Sequence, residues 1–489
     1  MQIKRRRNDQ WIRISTPLRF LLVFGVGATI LLIRSKNDSF HYGVVQKKIG
    51  ERCTILSRLS KEELSQLETM DLSNCQLTEI PKNIQFATYL KKLDVGQNSD
   101  LTTLPKELKF CRSLDTLFAS SCPSMKNLPS VLGEMPSITR LGWKSGSLTS
   151  LTADHLPPNL LHLILTDNKI DTMDDPEIFF KLRHVKKLML SHNNIKSFGA
   201  NGGVEQMQQL ELIRLGGNRL INLPSEIWTL PSLSWMAISG NPMMDNFAQN
   251  ETPNLPIVSM NDLTSLDNYL GQGASGKVSL FQWNHQKVAL KLIHGVTSDG
   301  KAEDELSIYN AVGTDSTKHR VVGAIALLND KEKKGVVMEP IPSSMIDLAD
   351  PPTISEITAD RWDKWNAEMF KSDFVRNALQ DAVTALLFLH DFGISHGDFY
   401  AHNVKVDPIT GRLYLLDFGA SFLKGSFNVQ AERIEVRAFG ILVGELMDLL
   451  DPSEKELAKK LEVLRDTCID KNVGTRPLFK EIKSMIENL

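Results

Sequence analysis

The residues best suited to chemistry are an aspartate and an asparagine that lie five positions apart in the stretch Ile394–Val404. This stretch lies between an apolar helical pattern and an apolar strand-like pattern, so it is expected to be a short loop. Asp398 would accept or orient the proton of a substrate hydroxyl, and Asn403 would hold a magnesium ion that neutralises phosphates. Asp417, 19 residues after Asp398, would bind another magnesium ion. These residue types could therefore take a proton from a hydroxyl beside bound metal ions.

Two motifs around these residues resemble those of a known family. The loop reads His-Gly-Asp-Phe-Tyr-Ala-His-Asn from His396 to Asn403, and Asp417 opens an Asp-Phe-Gly tripeptide. At this spacing the motifs resemble those of protein kinases, and more narrowly those of leucine-rich-repeat kinases. The resemblance covers roughly the C-terminal half of the chain. It implies an α+β two-lobed kinase domain at residues 263–489, with ATP and Mg²⁺ as cofactors and a protein as substrate.

A glycine-rich segment, Leu270–Val278, has the pattern Gly-x-Gly-x-x-Gly-x-Val. Glycines allow a backbone to approach phosphates closely. The segment also nearly fits a P-loop, but a P-loop has Ser or Thr after its lysine and then a helix, whereas Val278 leads into a β-type run. Lys277 is therefore expected to be a solvated hairpin charge. Lys291 ends a Val-Ala-Leu-Lys run that is similar to the kinase strand carrying the phosphate-binding lysine.

Lys291 requires a carboxylate to hold it over the phosphates. Glu303 and Glu305 both lie in the next helical segment, and Glu305 is preferred because Leu306 and Tyr309 form a core-facing stripe beside it. The resemblance implies catalytic roles for Asp398, Lys291 and Glu305, metal binding by Asn403 and Asp417, and ATP contacts from Gly271, Gly273, Gly276, Val278, Ala289, Lys291 and Met338.

The chain departs from the kinase pattern near the catalytic loop. Gly397 replaces the arginine usually found before the catalytic Asp, and Tyr400 replaces the lysine that serine/threonine kinases use on the γ-phosphate. Glu435 stands where kinases carry an Asp that anchors the loop from below. The segment after Asp-Phe-Gly is short and has no Ala-Pro-Glu, so Arg476 lacks its usual carboxylate, for which Glu432 is a candidate.

Gly397 also bears on control. Kinases with an arginine at this position are switched on when a phosphate neutralises that buried charge. Because Gly397 carries no charge, activity is not expected to wait for phosphorylation of Ser421 or Ser426, the only acceptors in the short segment.

Residues 60–245 repeat the pattern Leu-x-x-Leu-x-Leu-x-x-Asn-x-Leu. Eight units, spaced 22 to 25 residues apart, begin at Leu67, Leu90, Leu114, Ile138, Leu160, Val185, Leu210 and Leu233. Such units stack into an α/β leucine-rich-repeat solenoid with a parallel sheet on its concave side. The residues predicted to face an unknown protein ligand there are Trp143, Lys187, Glu211, Arg214 and Trp235. A role as a spacer alone is the alternative.

Residues 1–36 form a basic and apolar leader, in which residues 18–34 are a possible membrane segment. The apolar run Phe20–Ile33 would reach only about 21 Å as a helix, which is short of the roughly 30 Å hydrocarbon core. A single anchor helix, an uncleaved signal-like segment, an organelle transit peptide and a helix of a soluble core all remain open.

The whole chain has 489 residues, a net charge of -2 and 42% hydrophobic residues, which describes a globular protein of more than one domain and does not suggest nucleic-acid binding. Residues 246–262 are expected to form a linker without a membrane span, which puts the repeats and the kinase domain on one side of any membrane. Five scattered cysteines favour reduced thiols over a disulfide framework. With the need for ATP, this predicts a membrane-associated protein with both domains in the cytosol; the basic N-terminus argues against that orientation, and an organelle-targeted protein is the alternative.

Two hypotheses follow for function. The first is an active ATP-dependent protein kinase, with serine or threonine as the expected acceptor and tyrosine left open. The second is a pseudokinase scaffold, in which the repeats recruit a partner and the second domain only binds nucleotide. Retention of the groups that bind and orient MgATP favours the first.

Overall fold

The structure is a computed structural model that describes residues 52–247, 255–273, 276–293, 299–330, 333–365 and 370–489. The predicted leader, residues 1–36, lies outside the described residues, and with it the possible membrane segment at 18–34. Within the described part of the chain, no helix combines the length and the apolar character needed to cross a membrane.

The N-terminal unit is a repeat solenoid. Its strands are β1 (Thr69–Asp71), β2 (Lys92–Asp94), β3 (Thr116–Phe118), β4 (Arg140–Gly142), β5 (His162–Ile164), β6 (Thr172–Met173), β7 (Lys187–Met189), β8 (Ser197–Phe198), β9 (Leu212–Arg214) and β10 (Trp235–Ala237). Eight of them form one parallel sheet in the order β1-β2-β3-β4-β5-β7-β9-β10, whereas β6 pairs with β8. One strand of the large sheet comes from each predicted unit, as expected for leucine-rich repeats.

The repeat pattern explains both the strands and the turns. The middle residue of each strand of the large sheet points into the core, and in five of the repeats a buried asparagine after the strand caps the turn. Asn168, for example, donates to the carbonyls of Trp143 (2.7 Å) and Leu165 (3.0 Å) and accepts from the amide of Leu148 (3.0 Å). On the convex side, 3-10 turns begin directly after Pro81, Pro105, Pro129 and Pro224. Short helices are α1 (Ile55–Arg58), α2 (Lys61–Leu64) and α3 (Pro176–Lys181).

Two predictions about the repeats are wrong. Trp143, expected on the concave face, takes the place of the third leucine of its repeat and is fully buried in the core. Cys53 and Cys75, expected to be reduced thiols, form a disulfide. Cys75 stands at the capping position of the first repeat. Its disulfide partner, Cys53, lies in the segment before that repeat. The cysteine argument for a cytosolic location therefore fails.

The C-terminal unit begins with a six-stranded sheet. Its strands are β11 (Ile257–Val258), β12 (Thr264–Gln272), β13 (Gly276–Trp283), β14 (Gln286–Ile293), β15 (Ala324–Asp330) and β16 (Lys333–Met338). They lie in the order β11-β15-β16-β14-β13-β12, and α4 (Ala302–Val312) packs against β15 and β16. Because β11 lies inside the predicted linker 246–262, the structure corrects this end of the linker to a strand of the sheet.

A mostly helical lobe follows. Its helices are α5 (Ser372–Asp391), α6 (Asn428–Asp448), α7 (Lys455–Cys468) and α8 (Phe479–Ile486), and its short strands are β17 (Ile346–Asp347), β18 (Ile394–Ser395), β19 (Val404–Val406), β20 (Leu413–Leu415) and β21 (Phe422–Leu423). The apolar stripe of α5 is fully buried at Val375, Leu379, Val383 and Leu386. Helix α5 leads through β18 into the loop that carries Asp398. The predicted solenoid followed by a two-lobed α+β domain is confirmed.

The concave face of the later repeats packs against the helical lobe. Leu212 and Trp235 of the repeats belong to the hydrophobic core of the C-terminal unit, whereas Phe422 and Ile434 belong to the core of the repeats. The ring of Trp235 stacks on that of Tyr400, with 4.0 Å between the centroids. The two units therefore share a core, and the chain itself covers the concave positions that were predicted to face an unknown ligand.

The segment between β16 and α5 also contacts this face. Arg140 Nε donates to the carbonyl of Ile354 (2.8 Å), Lys187 Nζ donates to that of Ile357 (3.4 Å), and the Thr358 hydroxyl donates to the carboxylate of Glu211. This segment extends the contact between the units beyond the catalytic loop.

Candidate active site

The described residues of the glycine-rich segment lie in or next to two antiparallel strands, β12 and β13. Gly273 donates its amide to the carbonyl of Gly276 at 2.9 Å. A Cβ atom added at Gly271 or Gly273 would meet no atom within 4 Å, so this part of the backbone borders open space. Lys277 is exposed, as predicted, and no helix follows it. The segment is therefore not a P-loop.

The other residues predicted to contact ATP lie on adjacent strands. Val278 on β13 is the register partner of Lys291 on β14, and Ala289 is the partner of Met338 at the end of β16. Ala289 and Lys291 point to the same side of β14 because side chains alternate along a strand. The register thus brings these four residues together.

Lys291 connects the sheet lobe to the helical lobe. Its ammonium donates to Glu305 of α4 at 2.6 Å and to Asp417 at 3.0 Å. Burial disfavours the charge, but Asp417 and Glu305 outweigh it and raise the pKa of Lys291. Glu303, the alternative partner, pairs with Lys334 at the surface instead. Lys291 therefore pairs with Glu305 and not with Glu303.

Asp398 and Asn403 lie on one loop and contact each other. Asn403 Nδ2 donates to the carbonyl of Asp398 (2.8 Å) and to its Oδ2 (2.9 Å). The carboxylate of Glu435 on α6 lies beneath the loop and accepts from the amides of His396 (3.2 Å) and Gly397 (2.7 Å). Glu435 thus anchors the loop from below, as its position in the sequence suggested.

Asp417 has a backbone φ of +65°, which is uncommon for a residue with a side chain and is often found at functional sites. Burial would raise its pKa, but Lys291 outweighs burial and lowers the pKa to about 2. The next residue, Phe418, is buried against Tyr309 of α4 at 4.8 Å between ring centroids. Asp417 is therefore ionised and held between the two lobes.

The donor set of Asn403 and Asp417 fits Mg²⁺. This ion is usually bound through one or two carboxylates, with phosphates and waters completing its shell. Among the residues that the structure describes, no group of three or more His, Cys, Asp or Glu side chains could hold a metal alone. One amide and one carboxylate suit an ion that arrives with a nucleotide.

The structure adds one residue to the site. From the sequence, this residue was predicted only to face a protein ligand of the repeats. Arg214, at the end of β9, donates through Nη2 to Asp398 Oδ1, through Nη1 to the carbonyl of Gly397 (3.1 Å), and pairs through Nε with Asp299 (2.8 Å). Its side chain is only 4% exposed. The missing cations at Gly397 and Tyr400 were the signal that could have suggested a cation from elsewhere.

Glu432 does not replace the missing partner of Arg476. Arg476 donates to three main-chain carbonyls, those of Asp470 (2.9 Å), Arg433 (3.1 Å) and Pro231 (2.7 Å). Glu432 instead accepts from the amide of Phe479. Because Pro231 belongs to the repeats, Arg476 contributes to the contact between the two units.

Ser421, one of the two predicted acceptors in the short segment, is buried, and its hydroxyl donates to the carbonyl of His396 at 2.9 Å. A phosphate could not be added there without breaking this contact. The side chain of Ser426 lies outside the described residues. The geometry at Ser421 agrees with control that does not depend on its phosphorylation.

The family model for the protein kinase domain matches residues 264–435, and that for the leucine-rich repeat matches residues 66–86. The chain therefore contains leucine-rich repeats and a protein kinase domain. The hydrophobic core of the kinase domain continues through α7 and α8, beyond the matched residues.

One similar protein is the 187-kDa microtubule-associated protein AIR9 of Arabidopsis thaliana, which is 32% identical over 134 residues. The similarity covers 27% of this chain and spans only 8% of the length of that protein. It therefore concerns a short region and carries no assignment of activity.

Proposed function

We propose that this protein transfers the γ-phosphate of ATP to the hydroxyl of a protein substrate, with serine or threonine as the expected acceptor. The observation that supports this most is the double contact of Lys291 with Glu305 and Asp417 at 2.6 and 3.0 Å. It joins the strand, the helix and the Asp-Phe-Gly segment in one arrangement, which phosphate transfer requires at the same moment.

Each residue of the site then has a role. The hairpin at Gly271–Gly276 would cover the phosphates, and Lys291 would hold the α and β phosphates. Asn403 and Asp417 would hold Mg²⁺, which supplies positive charge to the phosphates when bound. Asp398 would orient the acceptor hydroxyl and take its proton.

A nucleotide-binding scaffold is the second candidate. Both carboxylate oxygens of Asp398 already accept hydrogen bonds, one from Arg214 and one from Asn403. Tyr400 also supplies no cation for the γ-phosphate. In a scaffold, the kinase domain would bind nucleotide without transferring phosphate.

Phosphate transfer by the purified full-length chain decides between the two. We expect labelled phosphate to pass from ATP to casein with Mg²⁺, and D398N and D417N each to lower the rate by about 10²- to 10⁴-fold. E303Q, at the surface pair with Lys334, serves as a matched carboxylate control and should keep the wild-type rate. Nucleotide binding by a wild-type protein that transfers no phosphate would establish the scaffold. Phosphoamino-acid analysis would identify the acceptor.

A further inference from the structure

The repeats meet the kinase domain at the catalytic aspartate itself, through Arg214. We propose that Arg214 is a positioning residue of the phosphotransfer site, which holds the Asp398 carboxylate and supplies in the catalytic loop the positive charge that Gly397 and Tyr400 do not. The leucine-rich repeats are then part of the active centre. The catalytic part of this inference rests on the proposed function, whereas the positioning of the loop by Arg214 can be tested without it.

The geometry of the contact holds the carboxylate in one orientation. The guanidinium is planar and presents its donors in a fixed fork. One arm reaches Asp398 Oδ1 and another the carbonyl of Gly397 at 3.1 Å, while Nε is held by Asp299 at 2.8 Å. Asn403 donates to the other oxygen, Oδ2, at 2.9 Å. Because each oxygen accepts a hydrogen bond from a different residue, the Asp398 carboxylate cannot rotate freely.

Arg214 also brings a positive charge to the Asp398 carboxylate. The two side chains form an ion pair, in which Asp398 is 18% exposed and Arg214 is 4% exposed. A partly buried carboxylate is costly unless an opposite charge and hydrogen bonds accompany it. Arg214 supplies that charge, and it comes from the repeats.

The catalytic loop packs closely against the backbone of the repeats next to Arg214. Gly397 has φ +73°, and a Cβ atom there would lie 2.4 Å from the carbonyl oxygen of Met236 and 2.6 Å from that of Ala420. Met236 donates its amide to the carbonyl of Gly397 at 3.0 Å, and Trp235 Nε1 donates to that of Phe399 at 2.9 Å. With the shared hydrophobic core, these bonds indicate a permanent contact.

The docked arrangement coincides with an assembled site. Lys291 contacts both Glu305 and Asp417, and Phe418 is buried, while Arg214 holds Asp398. If the docked repeats inhibited the kinase domain, we would expect at least one of these contacts to be broken. Docking therefore supports catalysis.

Substitution of Arg214 tests the assignment in the full-length chain. R214M keeps much of the aliphatic length but removes the charge and the fork. We expect kcat per nucleotide-binding site to fall about 10- to 100-fold, the loss of one charge-assisted hydrogen bond. KM for ATP should stay within about twofold, because Arg214 contacts none of the groups predicted to bind ATP. A fluorescent ATP analogue counts the competent sites.

Two further variants separate positioning from general damage. R214K restores the charge without the fork, so it should recover part of the lost kcat. R140M is the matched control, since Arg140 lies on the same concave face and bonds to Ile354, away from Asp398; it should keep kcat within about twofold of wild type. If R214M does not fold because Asp299 has lost its ion pair with Arg214, the double variant R214M/D299N provides the same test.

Hydrogen exchange of the amides in the catalytic loop, residues 396–403, gives a readout that needs no activity. We expect faster exchange in R214M than in wild type or R140M. If the wild type transfers no phosphate, the proposed function fails, and exchange alone then decides whether Arg214 positions this loop. Unchanged kcat and unchanged exchange in R214M would overturn the inference. A rise in kcat in R214M would also overturn the inference, because it would mean that the contact of Arg214 with Asp398 inhibits the enzyme.

Discussion

The contact between Gly397 and the repeats can be tested by stability alone. Gly397→Ala adds one methyl group at a backbone position with φ +73°. A side chain in this left-handed region costs roughly 1–2 kcal/mol. The new Cβ would also lie 2.4 Å from the Met236 carbonyl oxygen, far inside normal contact. Forcing a methyl group into a filled site adds typically about 1–3 kcal/mol. The free energy of unfolding should therefore fall by roughly 2–5 kcal/mol.

Gly393→Ala is the matched control. Gly393 has φ +71°, nearly the same backbone conformation, but a Cβ atom there would meet nothing within 4 Å. It therefore carries the backbone cost without the steric one. The difference between the two variants should be about 1–3 kcal/mol, the cost of the collisions with the carbonyl oxygens of Met236 in the repeats and Ala420 in the kinase domain. Urea unfolding followed by tryptophan fluorescence measures it, since Trp228 and Trp235 lie in the contact with the helical lobe.

Equal losses in the two variants would refute the reasoning. They would show that the Met236 carbonyl does not lie against Gly397 in solution. The contact of Arg214 with Asp398 depends on the same docking, so it would fail with it.

Three further variants test other contacts. E305Q removes one charged hydrogen bond to Lys291, worth about 1.5–3 kcal/mol, so kcat/KM for ATP should fall roughly 10- to 100-fold. C53S/C75S opens a disulfide between residues 22 positions apart, which should lower the stability of the repeats to urea by about 3 kcal/mol. E445Q should stabilise the protein more at pH 8 than at pH 5 in thermal unfolding. Burial raises the pKa of Glu445 from 4.5 to about 8. The folded wild type therefore has its full stability below pH 4.5 and loses part of it as the pH rises through 8, where the buried carboxyl ionises.

Each of these has an outcome that contradicts it. E303Q is the control for E305Q, and equal effects of the two would remove the special role of Glu305. A reducing agent should destabilise the wild type but leave C53S/C75S unchanged, and no effect on the wild type would mean that the disulfide is absent. An equal gain from E445Q at both pH values would show that Glu445 keeps an ordinary pKa.

The contacts best predicted from the sequence are those between residues that are close together in the chain. Asp398 and Asn403 are five residues apart and meet within one loop. Glu305 follows Lys291 by 14 residues, and the choice between Glu303 and Glu305 depended only on the face of one helix. The repeat period likewise predicted one strand of the parallel sheet in each unit, because each unit contacts its direct neighbours.

Distant or exceptional contacts were not predictable in this way. Arg214 and Asp398 are 184 residues apart, and no local pattern states which surface of a solenoid meets which surface of another domain. Trp143 was placed on the wrong face because it was counted among the residues between the strand leucines, whereas it occupies the third leucine position of its repeat. Cys53 lies before the first repeat, so the repeat register did not connect it with Cys75.

The departures from the kinase pattern nevertheless contain the missing information. Gly397 accepts from the Met236 amide, Tyr400 stacks on Trp235, and Arg476, left without its usual carboxylate, donates to the carbonyl of Pro231. All three positions therefore contact the repeats. Local rules are expected to fail where a second requirement acts on the same residues. Here that requirement is the docking of a second domain, so a residue that breaks the pattern of a catalytic loop can indicate which surface of the kinase domain is covered.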